Sequence, residues 1–269
     1  MNHVTALMLS MPSALVVLGS SGAVVPAHRD NTALALRLGD AVVLVDCPGS
    51  PAVKLRRAGL DPLQLAAVVI THTHPDHVYG LPSLVHNLRL LGRTAPLPIF
   101  VLPEDLDRVR RLLAVWGAEM HPPFLSLRTL AVDGVTPFWE QMGHRLYARP
   151  VDHSVPACAV RCDLRGGARV VYSSDTRPVE ALAQFGRDAV IMVHEATYLD
   201  ADAAHAHAVG HSTATDAARI AAQAGAARLV LVHLAPEADP SRWIAEARTV
   251  FPGPVEVPDD GAIYPLDGG

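Results

Sequence analysis

Cysteine is scarce: the 269 residues hold three, Cys47, Cys158 and Cys162. If Cys158 and Cys162 share a strand, their Cα atoms lie roughly 13 Å apart, beyond the reach of a disulfide. Three reduced thiols fit a reducing compartment, so a cytoplasmic setting is expected. Surplus positive charge is missing too. The formal net charge is −5 with histidine neutral, which offers no overall electrostatic reason to hold nucleic acid. Long apolar runs are also missing. The stretch VTALMLSMPSALVVLG has no Lys or Arg before it and is broken by Ser10, Pro12 and Ser13. It reads as a short extension running into a first strand, neither a signal peptide nor a membrane span. No internal repeat, low-complexity block or Gly/Ser linker occurs, which excludes solenoids and strung modules. Gly19-x-x-Gly22 is not followed by Gly-Lys-Ser/Thr, so it is no phosphate loop. It reads as a place where the backbone comes close to a site.

What is present is apolar and patterned. Half the residues are hydrophobic, 18% are charged and mean hydropathy is positive, so a sizeable core is expected. Short β-rich runs come early: Ala14–Gly19, Thr32–Leu38, Ala41–Asp46 and Ala66–Thr71, with a hairpin turn at Gly39-Asp40. Further strands are expected at Leu127–Val132, Arg145–Val151, Ala157–Asp163, Arg169–Ser173, Ala189–Val193 and Leu229–Val232. Helices are expected over Pro103–Val115, after a cap at Ser212 or Thr213 and ending at Gly225, and over Pro240–Val250. Strands come first and helices mix in later, in each half. That order suits an α+β fold of two sheets packed face to face with helices outside, as one domain over residues 1–269 with a short extension at 1–12.

The densest chemistry is in ITHTHPDHVYG, Ile70 to Gly80. Three histidines and an aspartate fall within His72 to His77. A solvated loop explains one histidine easily and this crowd poorly. His72 and His74 are two apart past an apolar strand, so extended backbone sends both rings to one side. Pro75 turns the chain, and Asp76 with His77 can face a second spot nearby. Imidazole and carboxylate are the ligands that Zn²⁺ and similar cations take, so two adjacent metal sites are expected.

THTHPDH resembles the signature of the metallo-β-lactamase fold hydrolases, and the resemblance extends over almost the whole chain. LGSSGAVVPAHRDNTALAL (Leu18–Leu36) looks like the opening of the ribonuclease Z branch. LVDCPGS, DHSVPA, SSDT, HEATY, GHST and VHLAP follow in the branch's order. The resemblance implies a four-layer αββα sandwich. It implies one ion on His72, His74, His153 and Asp175, and another on Asp76, His77, His233 and Asp175. The ions would be two divalent cations, zinc first, with manganese or iron as alternatives. It assigns Asp76 with Glu195 and His211 to catalysis, the last two as an acid–base pair beside the metals. Asp46 is expected to orient a ligand histidine through its far nitrogen. Ser212 either polarises substrate or caps a helix. His205 and His207 fall in DADAAHAHAVGH, which reads as a flexible loop with solvated rings.

The chain departs from ribonuclease Z proper in one respect. That branch carries a long tRNA-gripping arm between the later ligand histidine and the bridging aspartate, yet His153 and Asp175 are only 22 positions apart. With the acidic balance, this disfavours tRNA as a partner. The expected reaction is hydrolysis of a small-molecule phosphodiester by a hydroxide bridging two ions. An aryl sulfatase or a lactone or ester hydrolase on the same centre is the alternative. A tRNA 3′-processing endoribonuclease comes third. A metal-holding subunit or carrier is the non-enzyme alternative. The family often forms dimers, so a homodimer is within its implications, and no membrane partner is expected.

Overall fold

In β1 (Ala14–Gly19), Leu15 and Val17 face one way, Val16 and Leu18 the other, and all four are buried. A strand buried on both faces must lie between two layers. The computed structural model describes residues 11–117, 120–236 and 239–266. Most of the 1–12 extension therefore lies outside the described residues. Two seven-stranded mixed sheets result. The first runs in the order β14 (Ile263–Pro265), β1, β2 (Ala33–Leu38), β3 (Ala41–Val45), β4 (Leu65–Val69), β5 (Leu97–Val101) and β6 (Leu125–Thr129). The second runs β13 (Val255–Glu256), β12 (Leu229–Val232), β11 (Ile191–Glu195), β10 (Arg169–Tyr172), β9 (Ala157–Asp163), β8 (His144–Val151) and β7 (Trp139–Gln141).

Three apolar clusters define four layers. Leu15, Val17, Leu34 and Val45 meet Leu146, Val160, Tyr172, Val193 and Val232 between the sheets. The outer face of the first sheet packs on α1 (Pro51–Arg57), α3 (Leu81–Leu90) and α4 (Leu106–Ala114), through Leu55, Leu84, Leu88, Val109 and Leu113. The outer face of the second packs on α5 (Ala181–Phe185), α7 (Ala214–Ala224) and α8 (Pro240–Arg248), through Phe185, Ala217, Ala221 and Trp243. Each wholly buried leucine contributes about 2 kcal/mol to this arrangement. The architecture is the expected αββα sandwich.

Local signals held where the cause was local. Thr213, not Ser212, caps α7 in a reciprocal capping box with Asp216, and Gly225 ends it in the left-handed region at φ 66°. Cys158 and Cys162 do share β9, and all three cysteines are free and buried. Between His153 and Asp175 the chain makes only the antiparallel β9–β10 hairpin. The stretch read as a flexible loop is instead helical, α6 (Ala203–Val209), closed by Gly210 at φ 94°. There His207 Nε2 lies 2.7 Å from Asp216 Oδ2, a partner that only the docking of α6 on α7 supplies. Among the described residues no helix is long and apolar enough to cross a membrane.

In both sheets the parallel strands β3, β4, β10, β11 and β12 run side by side. Each is followed at its carboxyl end by a residue of the site: Asp46, His72, Asp175, Glu195 and His233 respectively, Glu195 closing its own strand. Ligand crevices form at such strand ends because several chain exits converge on one edge.

Candidate metal centre

Past β4 the chain stays extended to His74, then α2 (Pro75–Val78) starts with Pro75 in its first turn. Proline fits there because its missing N–H has no helical partner to lose. The helical turn brings the His77 ring beside that of His72, centroids 4.0 Å apart. The candidate ligand atoms of His72, His74, His153 and Asp175 all lie within 4.8 Å of one another, and so do those of Asp76, His77, Asp175 and His233. Asp175 belongs to both sets. Its Oδ2 is 3.7 Å from His72 Nε2, 3.3 Å from His77 Nε2 and 3.1 Å from His233 Nε2. His153 Nε2 is 3.1 Å from His74 Nδ1.

His72 Nε2, His77 Nε2 and Asp175 Oδ1 are buried with no hydrogen-bond partner. An unsatisfied buried polar atom costs about 1–3 kcal/mol, and these three, spread over the two sets, call for partners there. Nitrogen and carboxylate donors at this spacing fit divalent cations of the zinc type. Burial pushes the His72, His74 and His153 imidazoles below their ordinary range, whereas at His77 burial is outweighed by the carboxylates of Asp175 and Asp46, which leave it well above that range. Burial raises the Asp175 carboxyl, but the imidazoles of His233, His77 and His72 outweigh it and hold the group well below the carboxylate range.

Four of these histidines have their other ring nitrogen held. His77 Nδ1 meets Asp46 Oδ2, and Asp46 in turn accepts from the Thr71 N–H at 2.8 Å and hydroxyl at 2.9 Å. His72 Nδ1 faces Thr71 Oγ1 at 3.2 Å, and Ser174 Oγ donates to that same hydroxyl at 2.9 Å. His153 Nδ1 is 2.7 Å from the Gly210 carbonyl, and His233 Nδ1 is 2.9 Å from Thr197 Oγ1. Such anchoring sets ring orientation and tautomer. The backbone is bent to reach it: Asp46, Ser174 and His233 sit at φ 61°, 57° and 60°. Non-glycine residues enter this region only where the surroundings compel it. A side chain at Gly210 would meet His153 Nδ1 at 2.9 Å, and one at Gly22 would meet the His233 ring at 3.3 Å. Gly22 thus brings its backbone close to the site, as its sequence suggests. Asn31 clasps that loop by donating to the Gly22 carbonyl at 2.7 Å.

Glu195 and His211 lie alongside. Glu195 Oε1 accepts from the backbone N–H of Thr176 at 3.0 Å and Ser212 at 3.1 Å, and is 2.9 Å from His211 Nδ1. Oε2 accepts from the N–H and hydroxyl of Thr197 at 3.1 and 3.0 Å. Burial lowers the His211 imidazole, but the hydrogen bond and charge of Glu195 outweigh it and leave it raised. The ring stacks on His233, centroids 5.3 Å apart. Ser212 Oγ donates to the Thr176 carbonyl at 2.7 Å, so its hydroxyl is committed to the backbone. Sequence reasoning passed over Thr71, Ser174, Thr197 and Gly210. All four stand inside motifs already singled out, yet each also meets a partner far away in the chain: Asp46 for Thr71, Thr71 for Ser174, His233 for Thr197 and His153 for Gly210. A cleft of about 1010 Å³ lined by His144, Arg228, Glu256 and Tyr264 shares no residue with either ligand set.

Comparison with known proteins agrees with this geometry. The beta-lactamase superfamily domain matches residues 42–234. Ribonuclease Z of Myxococcus xanthus is 30% identical over 298 residues, covering 92% of this chain and 95% of the relative. Among solved structures, the metallo-β-lactamase fold protein YhfI from Bacillus subtilis superposes with a TM-score of 0.83 at 24% identity, covering 94% of this chain and 99% of the other. The short form of human tRNase Z gives 0.77 at 22%, covering 95% and 100%. These relatives overturn the expectation against tRNA. That expectation rested on the short segment between His153 and Asp175 and on net charge; net charge is a sum over the whole surface, whereas phosphate is held by local contacts. The chain belongs to the beta-lactamase superfamily, in its ribonuclease Z-like branch, and is a metal-dependent hydrolase.

Proposed function

We propose that this enzyme holds two divalent cations, zinc in the first instance, and hydrolyses phosphodiester bonds of RNA. The observation that carries the reading is Asp175 shared between two ligand sets, with the Glu195–His211 pair at their side. The substrate class is supported by the name ribonuclease Z among relatives that align along nearly their whole length. Two cations there would supply Lewis acidity toward a phosphoryl group and an activated water. The residues named expected for them are His72, His74, His153 and Asp175 on one side, and Asp76, His77, His233 and Asp175 on the other. His211, held protonated by Glu195 through Nδ1, presents its other nitrogen and gives a proton to the leaving oxygen. Glu195 acts through His211, since five hydrogen bonds already occupy its oxygens. Three buried free thiols support a cytoplasmic setting.

A second reading is a small phosphodiester. It is favoured by the bare β9–β10 hairpin, and by an alignment of 298 residues against a chain of 269, which leaves segments of the relative without a counterpart here. One assay separates the two. Zinc-loaded protein is offered a 3′-extended tRNA transcript and bis(p-nitrophenyl) phosphate, with His74→Ala as control. Cleavage of the transcript supports the first reading; turnover of the small diester alone supports the second. No turnover of either above the control sinks both.

A further inference from the structure

Thr197 Oγ1 stands where two parts of the site meet. It is 2.9 Å from His233 Nδ1, 3.0 Å from Glu195 Oε2 and 3.3 Å from His211 Nδ1, with the His233 carbonyl at 2.9 Å. His233 Nε2 points at Asp175 and Asp76, at 3.1 and 3.4 Å, so that nitrogen must keep its lone pair free to serve a cation. The ring proton then sits on Nδ1 and is donated to the threonine oxygen. The hydroxyl has one proton of its own to give. A carboxylate is the stronger acceptor than a carbonyl, so that proton goes to Glu195. The outcome is an unbroken chain from cation ligand to acid pair: His233, Thr197, Glu195, His211.

The backbone makes this hydroxyl necessary. His233 is in the left-handed region at φ 60°, a conformation that needs outside support. Glu195 is wholly buried, and Thr197 supplies two of its five hydrogen bonds. The other ligand histidines with an outer partner use Asp46, Thr71 or the Gly210 carbonyl. Thr197 alone of these partners also hydrogen-bonds the Glu195 side chain.

We infer that Thr197 is a positioning residue that couples cation binding at His233 to the orientation of the Glu195–His211 pair. The inference rests on the metal-centre reading, and zinc binding measured without substrate tests it separately from catalysis. Metal-stripped full-length protein is titrated with zinc against a chromophoric chelator, for wild type, Thr197→Val and Thr197→Ser. Thr197→Val keeps the shape and removes the hydroxyl; it is expected to weaken one of the two zinc-binding steps about 10-fold or more. With bis(p-nitrophenyl) phosphate its kcat falls while KM stays near wild type. Thr197→Ser restores the hydroxyl and is expected to recover both quantities. If Thr197→Val does not fold by circular dichroism, Thr197→Ala takes its place. Wild-type zinc affinity in the hydroxyl-less variant overturns the inference. So does a serine variant as impaired as the valine one, because the methyl's packing would then be the cause. Wild-type protein that takes up no zinc sinks the metal-centre reading itself.

Discussion

His77 Nδ1 lies 2.8 Å from Asp46 Oδ2, and both side chains are wholly buried. The two residues are 31 positions apart in sequence and meet because β3 and β4 are parallel neighbours. Removing the carboxylate frees the imidazole to rotate and strips Thr71 of its acceptor. Asp46→Ala is expected to weaken zinc binding about 10–100-fold, read by equilibrium dialysis. Unchanged affinity would show that His77 is oriented by the cation alone.

The Glu195–His211 contact is expected to set a pH limb. The imidazole is raised by its carboxylate partner against the pull of burial. A group that must be protonated to act works below its pKa and fails as pH rises through it. Glu195→Gln takes away the charge that raised it, so the alkaline limb of kcat against pH moves to lower pH. A limb that stays in place would assign it to another group.

Gly19 is closed to side chains. A Cβ there would stand 2.0 Å from the Asn31 carbonyl oxygen and 2.9 Å from that of Asp30, both rigid backbone. Gly19→Ala is therefore expected to destabilise the fold by about 1–3 kcal/mol or more, since β1 and the Asn31 loop must move apart. Urea unfolding followed by circular dichroism measures it, and a wild-type midpoint would contradict the packing described.

Thr213 opens α7, whose start carries Ser212 and His211 just before it. Its hydroxyl accepts from the Asp216 N–H at 3.1 Å, and Asp216 Oδ2 accepts from the Thr213 N–H at 3.1 Å. Thr213→Ala is expected to cost about 1–2 kcal/mol, the ordinary value of a lost cap. The melting temperature should fall with zinc-loaded activity per folded molecule retained.

How much was legible follows from distance along the chain. The THTHPDH cluster could be read because strand period and the proline turn act within six residues. Thr213 and Gly225 could be read as helix ends because a cap uses its own neighbours. His153, Asp175 and His233 entered only through resemblance, since nothing near them shows that they meet. α3 (Leu81–Leu90) and β5 were passed over: their side chains show their purpose only when α3 covers the first sheet and β5 lies against β4. His207 looked solvated because its partner Asp216 belongs to another helix.

Composition and local order by themselves determined a large two-sheet core, an unbridged set of thiols and a ligand cluster built for cations. These are set by solvent transfer of apolar side chains and by backbone period, both of which act on short stretches. The tertiary structure decided the rest: which carboxylate lies in both candidate ligand sets, which ring nitrogens face one another, and which hydroxyl lies between Glu195 and His233. Those depend on hydrogen bonds a few ångström long between strand ends far apart in the chain, and such bonds exist only once the two sheets have closed on each other.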